Sequence, residues 1–124
     1  MNERRAADYV RHMLEAAQLA CSYVKGFDQS AFIGDRRTQQ AVILNLVVIG
    51  EAATKLAAEE LELVHRFPEL PWKNMRGMRN RIAHGYFDID LTIVWQTVQT
   101  GLPTLIEQLT AIHDALANGA VGDV

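Results

Sequence analysis

Apolar residues recur along most of this chain at intervals of three and four positions, the spacing that places side chains on one face of an α-helix. The first such segment covers about Glu3–Lys25. Gly26 and Asp28 follow it, and because both residue types favour turns we expect the helix to end there. Its inner face is predicted to hold Val10, Met13, Leu14, Ala17, Cys21 and Val24.

The second segment is apolar almost all the way round. It begins at Asp35 or Arg36, with Asp35 as the predicted N-cap, and extends to about Ala58. Its centre, AVILNLVVIGEAA, is rich in β-branched residues, but the apolar pattern is too long for a typical strand and therefore predicts a helix. Such a helix either forms the centre of a monomeric bundle or is covered by a second copy of the chain.

Prolines and a glycine divide the next part of the chain. A short helix over about Ala58–Arg66 is expected to stop before Pro68. Pro71 then suits the first position of a helix over about Trp72–His84, because its fixed φ angle is already helical. Gly85 is predicted to close this helix in the left-handed conformation.

A last long helix is predicted from Asp88 or Asp90 to about Ala117. Pro103 lies inside this helix and should bend it, because proline lacks the backbone donor that the helix uses there. The predicted inner stripe of the helix consists of Ile93, Val94, Val98, Leu102, Leu105, Ile106, Leu109 and Ile112.

The composition fits one helical domain. Of the 124 residues, 49% are hydrophobic and 22% are charged, which is ordinary for a globular protein, and only three prolines interrupt the chain. We predict an all-α, antiparallel, up-and-down bundle of four or five helices over residues 1–118, followed by a flexible tail over 119–124.

We expect no signal peptide for export. Acidic residues and arginines occupy the N-terminus, where a signal peptide needs an apolar stretch. Asn45 interrupts the longest apolar run, so no membrane span is expected. Cys21 is the only cysteine, which fits a reducing compartment. We therefore expect a cytoplasmic protein without a membrane partner.

The positive charge of the chain is local. The net charge is −3, which argues against a general nucleic-acid coat, and no DNA partner is expected. Between Glu69 and Asp88, however, there is no acidic residue, and after Asp88 there is no lysine or arginine. The stretch between them holds the candidate substrate-binding residues Lys73, Arg76 and Arg81, together with Arg79.

Helical geometry separates two residues of this basic helix. Arg79 and His84 are five positions apart, which corresponds to about 140° around a regular helix, so they do not share a face. Asn80 and His84, four positions apart, do share a face, and Arg76 lies on the same stripe. A site that uses both Arg79 and His84 therefore needs a distorted helix end or the facing helix of a second subunit.

These residue types suit metal-independent cleavage of RNA. That reaction needs a base for the 2′-hydroxyl proton, an acid for the leaving 5′-oxygen and cationic donors around the phosphorane. His84 suits the proton transfers, and Arg79 offers a fork of donors to phosphate oxygens. Asn80 could orient the imidazole or donate to the phosphate, and Tyr86 could bind phosphate or stack on a base. The alternative is a purely structural role, in which these residues form a solvated helix face and His84 caps the helix.

Other polar residues give weaker evidence of function than the basic helix does. Glu62 and His65 form a single E-x-x-H pair, which lacks the further ligands of a di-iron bundle, so no metal and no cofactor are expected. Glu51 is a carboxylate on a mostly apolar helix; it either pairs with an arginine of the basic helix or lies exposed at the edge of its own helix. Gly50 and Gly77 predict close approach between helices.

Three segments of the chain resemble a HepT-type member of the HEPN superfamily, the partners of minimal nucleotidyltransferases in prokaryotic toxin–antitoxin pairs. These segments are Asp35–Leu56, Phe67–Asp90 and Val94–Leu109, in the family's order. The most specific part is the pattern R-N-x-x-x-H-x-Y, which is matched by Arg79, Asn80, His84 and Tyr86.

The resemblance implies an all-α bundle that forms a homodimer, with two motif helices facing one cleft. It implies a metal-independent endoribonuclease acting on transfer or messenger RNA, with Arg79 and His84 catalytic and Asn80 supporting. It further implies a nucleotidyltransferase antitoxin that transfers AMP to Tyr86. Glu51 is retained as a supporting residue, whereas Leu44 and Val47 stand where relatives often carry a charge.

A second function remains open from the sequence. The same fold could serve as a non-catalytic helical partner of a nucleotidyltransferase, or as a nucleotide-binding module, and the modest overall charge fits this alternative.

Overall fold

The structure is a computed structural model that describes residues 3–122, and it is helical over most of that range. No strand occurs between these limits, so the all-α prediction is confirmed. A 3₁₀ turn at Tyr86–Asp88 and a π-helical segment at Thr97–Gly101 accompany the α-helices. The α-helices are α1 Glu3–Tyr23, α2 Gln29–Ile33, α3 Arg36–Glu59, α4 Leu61–Arg66, α5 Trp72–His84, α6 Leu91–Gln96 and α7 Leu102–Gly122.

Helix α3 organises the bundle. Its N-cap is the predicted Asp35, whose carboxylate accepts a hydrogen bond from the Thr38 backbone N–H at 3.2 Å. Helix α1 packs against both α3 and α7, while α5 packs against α3. The largest fully buried side chains are Phe32, Met13, Leu56, Leu63, Leu109, Val10, Val42, Val94 and Val98.

Helix α3 is long and apolar enough to cross a membrane by length and composition, despite the interruption at Asn45. Half of its most apolar window is nevertheless buried against the rest of the protein. The same pattern is typical of a core helix, because a helix surrounded by other helices is apolar on most of its faces.

One short helix was not predicted. Asp28, which was expected only to end the first helix, caps α2 by accepting a hydrogen bond from the Ala31 N–H at 2.8 Å. Helix α2 buries Phe32, whose ring lies 5.4 Å from that of Trp95. Five residues are too few to display a helical period, which is why the pattern of apolar residues did not reveal this helix.

The last predicted helix is interrupted. Asp90 caps it as expected, but a π-helical segment separates α6 from α7 and ends two residues before Pro103. Most of the predicted inner stripe is buried, whereas Ile106 is half-buried and Ile93 is 40% exposed, so the prediction was wrong for Ile93. A π segment changes the angle per residue and so shifts Ile93 relative to the residues that follow.

Three details at helix ends differ from expectation: the closure of α5 at Gly85, the position of Pro71 and the C-terminal end of α7. Gly85 has φ −136° and ψ 41°, so the predicted left-handed closure is wrong; the chain continues directly into the 3₁₀ turn, and Asp88 N–H donates to the Gly85 carbonyl at 2.9 Å. Pro71 occupies the N-cap position of α5, one residue earlier than predicted. Helix α7 continues through residues 119–122 of the expected tail, and residues 123 and 124 lie outside the described part.

Candidate functional site

The site is built where α5 crosses α3. Gly50 allows this crossing, because a Cβ atom placed there would clash with Arg79 Cβ and lie 2.7 Å from the Met75 carbonyl oxygen. The close helix approach predicted for Gly50 is therefore confirmed. At Gly77, by contrast, nothing lies within 4 Å of an added Cβ, so the same prediction is wrong for that residue within the chain.

The crossing places Arg79 beside two polar side chains of α3. Arg79 Nε lies 2.9 Å from Glu51 Oε1, an ion pair whose N–H is not aligned for a hydrogen bond. Arg79 Nη2 donates a hydrogen bond to Thr54 Oγ1 at 3.3 Å. Both expected alternatives for Glu51 are true at once. Its side chain is 50% exposed, and it also pairs with an arginine of the basic helix.

Thr54 is the polar residue of the site that the sequence did not indicate. Its hydroxyl donates to the Gly50 carbonyl at 2.8 Å, a bond within α3, and accepts from Arg79. The spacing between Glu51 and Thr54 is three residues, which places both on one face of a helix. The spacing of Glu51 and Thr54 was the only sequence signal for this part of the site. It could not indicate a site without the knowledge that Arg79 reaches the same face of α3.

Two other residues of the motif, Asn80 and His84, are not held against α3 as Arg79 is. Asn80, His84 and Lys73 are exposed, and their side chains make no hydrogen bond or ion pair with any residue that the structure describes. Arg76 is half-buried, and its Nε is buried without a hydrogen-bond partner. With 100° per residue, these four side chains fall within about one quarter of the circumference of α5. They form an exposed polar stripe with two cations that no carboxylate neutralises.

One chain does not bring Arg79 and His84 together. Arg79 is 25% exposed and held against α3, whereas His84 is exposed on the outer stripe at the end of α5. The helix is regular up to His84, so no distortion at its end closes the angle between the two side chains. No described feature of one chain therefore brings these two side chains together.

Arg81 lies on a different side of α5. It lines an apolar cavity of about 410 Å³ between α5 and the α6–α7 region, and the same cavity includes Leu46, Met75, Met78 and Leu105. It also lines a neighbouring cavity of about 260 Å³. Neither cavity includes Arg79, Asn80 or His84. Arg81 is therefore separated from Lys73 and Arg76, with which the sequence had grouped it.

An apolar surface adjoins the motif. A shallow cavity of about 320 Å³ is lined by Gln40, Ile43, Leu44, Val47, Ile82, Ala83 and Tyr86. Leu44 is 63% exposed, and Phe87, next to Tyr86 on the 3₁₀ turn, is 97% exposed. The Tyr86 and Phe87 rings contact each other edge to face at 5.8 Å. We call the residues that line this cavity, together with Phe87, the apolar seam. They follow the junction of α3 and α5 from Leu44 to the end of the motif helix.

This arrangement suits phosphate chemistry better than metal chemistry. No group of three or more His, Cys, Asp or Glu side chains that could hold a metal ion occurs among residues 3–122. Glu62 and His65, the only E-x-x-H pair, are both exposed. The chemically useful groups are an ordered guanidinium, an exposed imidazole, an amide and two further cations, all of which can act on a phosphodiester without a metal.

Comparisons with known proteins point to a family of ribonucleases. The family described as ribonuclease HepT-like matches residues 13–112. A Thermococcus cleftensis protein named as probable ribonuclease HepT is 34% identical over 103 residues, covering 83% of this chain and 91% of the relative. A Methanocaldococcus jannaschii protein, provisionally named an RNase, is 31% identical over 112 residues, covering 90% of this chain and 100% of the relative.

A third relative, from Caldanaerobacter subterraneus subsp. tengcongensis, is also provisionally named an RNase and is 32% identical over 104 residues, covering 84% of this chain and 90% of the relative. No solved structure matches the chain.

Proposed function

The chain belongs to the HepT-like ribonuclease family, and from this premise we propose that it is a metal-independent endoribonuclease of the cytoplasm, the toxin of a toxin–antitoxin pair. Its substrate is transfer or messenger RNA. The observation that carries the proposal is the R-N-x-x-x-H-x-Y pattern, which begins on α5 and ends on the 3₁₀ turn, and in which Arg79 is held in place and Asn80 and His84 are exposed to a substrate.

The proposed reaction is transesterification at phosphorus. The imidazole of His84 removes the proton of the 2′-hydroxyl, and the 2′-oxygen attacks the adjacent phosphorus. The bond from phosphorus to the 5′-oxygen breaks, and a protonated imidazole returns a proton to that oxygen, leaving a 2′,3′-cyclic phosphate and a 5′-hydroxyl. Arg79 stabilises the negative charge of the phosphorane, and Asn80 orients the imidazole or donates to the phosphate.

The proposal includes a homodimer. A single chain offers one His84, which is 140° away from Arg79 around the helix, and it leaves the apolar seam exposed. A second copy that covers the seam would remove Leu44 and Phe87 from water and bring a second motif helix to the same cleft. Two imidazoles would then be present, one to act as base and one as acid.

Substrate binding is assigned to two cations of the polar stripe that no carboxylate of the described chain pairs with, the exposed Lys73 and the half-buried Arg76. Lys73 and Arg76 share the stripe of Asn80 and His84, so they can contact the phosphates that flank the scissile one. Arg81 belongs to the proposed binding surface only if the RNA strand extends around α5 toward the cavity that Arg81 lines.

The experiment that tests cleavage uses total RNA in the presence of EDTA. We expect the wild-type protein to cleave it and His84→Ala to lose at least about 100-fold in rate, which is the usual size of a general acid–base contribution. His12→Ala is the matched control, since His12 is an exposed histidine on α1. Equal rates for wild type and His84→Ala, or no cleavage by either, would contradict the proposal.

Neutralisation is proposed to occur by AMP transfer from a minimal nucleotidyltransferase to Tyr86. The Tyr86 side chain is 51% exposed and lies two residues after His84. An added nucleotide there would place bulk and negative charge where substrate phosphate should bind. Intact-mass measurement after co-expression with the nucleotidyltransferase should show an added AMP, which should be absent from Tyr86→Phe but present in Tyr23→Phe.

A non-catalytic role is the second candidate, and the exposed, uncontacted His84 is the observation that favours it. In that case the helical platform binds a nucleotidyltransferase or a nucleotide. Binding to that partner would then survive His84→Ala, while neither the wild type nor the His84→Ala variant would cleave RNA.

A further inference from the structure

Thr54 holds the Arg79 guanidinium in one direction. Its hydroxyl proton is engaged with the Gly50 carbonyl of its own helix at 2.8 Å, so toward Arg79 the oxygen can act only as an acceptor. Arg79 Nη2 supplies the donor at 3.3 Å. Because the side chain of threonine is branched at Cβ and takes few rotamers in a helix, the accepting lone pair has a defined position.

Glu51 cannot provide this direction by itself. Its carboxylate is 2.9 Å from Arg79 Nε, but the N–H is not aligned with it, and the Glu51 side chain is half exposed. An ion pair of this kind attracts the guanidinium without fixing the rotation of its plane, and solvent weakens the attraction. The hydrogen bond that Arg79 donates to Thr54 therefore determines how the guanidinium plane is turned.

With Nε beside Glu51 and Nη2 bonded to Thr54, one nitrogen is left over. Arg79 Nη1 makes no hydrogen bond or ion pair with any residue in the described part of the chain. Gly50 keeps the arrangement close, since its missing side chain lets the Arg79 stem lie against α3. We propose that Thr54 is a positioning residue for Arg79, which turns the guanidinium so that Nη1 is presented to the phosphate of the substrate.

This inference rests on the proposed ribonuclease function, but it can be tested apart from that function. The first experiment compares RNA cleavage by the wild type with that by Thr54→Val, which keeps the shape and removes the hydroxyl. We expect kcat to fall about tenfold and KM to change by less than about twofold, because the lost orientation affects the transition state more than binding. Thr54→Ser, which restores the hydroxyl, should recover kcat to within about twofold.

The matched control is Thr110→Val. Thr110 makes the same bond inside its helix, from its hydroxyl to the Ile106 carbonyl at 2.7 Å, but no arginine of the described chain donates a hydrogen bond to it. We expect its kcat to equal that of the wild type. In an Arg79→Ala background, Thr54→Val should cause no additional loss, since the two side chains act as one unit. Equal kcat for Thr54→Val and wild type would overturn the proposal.

The second experiment needs no cleavage. The rate at which the Arg79 guanidinium rotates about its Nε–Cζ bond can be followed by the nitrogen resonances of the side chain, assigned by their loss in Arg79→Lys. Rotation should be at least about fivefold faster in Thr54→Val than in wild type or Thr110→Val. If wild type cleaves no RNA, the proposed function fails while this measurement still decides whether Thr54 positions Arg79; unchanged rotation would refute the positioning role.

Discussion

At the scale of single residues, Gly50 determines how closely the motif helix lies to α3. Its neighbours in the crossing include the Met75 carbonyl, which is backbone and cannot rotate away. Met75 itself is buried, so α5 is fixed on its inner side. The position of the Arg79 side chain therefore depends on the absence of one methyl group on another helix.

We predict that Gly50→Ala lowers the free energy of unfolding by about 1–3 kcal/mol, because the added methyl overpacks the crossing. Gly77→Ala is the matched control: it is also a glycine inside a helix, but with open space at its Cβ position. It should instead stabilise the protein by about 0.5–1 kcal/mol, as alanine does relative to glycine in helices. Urea denaturation measures both values, and a stabilised Gly50→Ala protein would show that the crossing is looser than described.

At the scale of elements, a thiol hydrogen bond connects α1 to the π-helical segment. Leu102 N–H donates to the Thr97 carbonyl, and Pro103 has no N–H to offer the Val98 carbonyl. The Cys21 thiol on α1 donates to that carbonyl at 3.9 Å. Burial raises the pKa of the Cys21 thiol, since the thiolate would lose hydration.

This coupling predicts a pH dependence of stability. The folded protein keeps the Cys21 proton at pH values where the unfolded chain, with a thiol pKa of about 8.5, has lost it. The free energy of unfolding should therefore be highest below that pH and fall as the pH rises through it. Urea denaturation between about pH 7 and pH 9.5 should show this decline in wild type and a weaker one in Cys21→Ser. An identical decline in both would assign it to other groups.

The last predicted helix contains a change of register that its own apolar periodicity did not reveal. Apolar periodicity identified six buried residues from Val94 to Ile112 correctly but placed Ile93 in the same stripe. The period assumed a regular α-helix, whereas the π segment at Thr97–Gly101 changes the register between the two halves. Proline at 103 indicated a disruption, but its form depended on the packing against α1.

At the scale of the whole molecule, the apolar seam is an apolar surface beside the motif that one chain leaves uncovered. Leu44 lies on the same face of α3 as Val47 and Glu51, at intervals of three and four residues. The seam is therefore continuous with the face that holds Arg79. A second copy docked there would meet the motif helix rather than a remote part of the bundle.

We predict that Leu44→Glu converts a dimer into a monomer and reduces RNA cleavage at least about tenfold, because a charge would be placed in an apolar interface. Leu61→Glu is the control: Leu61 is 50% exposed on α4, outside the seam. It should leave both properties unchanged. Light scattering after size-exclusion chromatography gives the mass; an unchanged mass for Leu44→Glu would remove this face from the proposed dimer.

Much of the fold could be predicted because its signals are local. The span of α5 from Trp72 to His84, the N-caps Asp35 and Asp90, and the buried stripes follow from residues within a few positions of one another. Helix α2 escaped prediction because it is shorter than the period that would reveal it. The left-handed closure at Gly85 was wrong because glycine permits that conformation without requiring it.

The amino-acid order by itself determined the longer helical segments, though not the five-residue α2, and which residues of the motif share a stripe, since both follow from the geometry of one helix. Only the tertiary structure decided that Arg79 meets Glu51 and Thr54, the latter 25 residues away, that Gly50 rather than Gly77 marks a helix crossing, and that Arg81 faces a different cavity. The physical reason is that contacts between helices depend on how their surfaces interlock, and no periodicity within one helix specifies its partner's position.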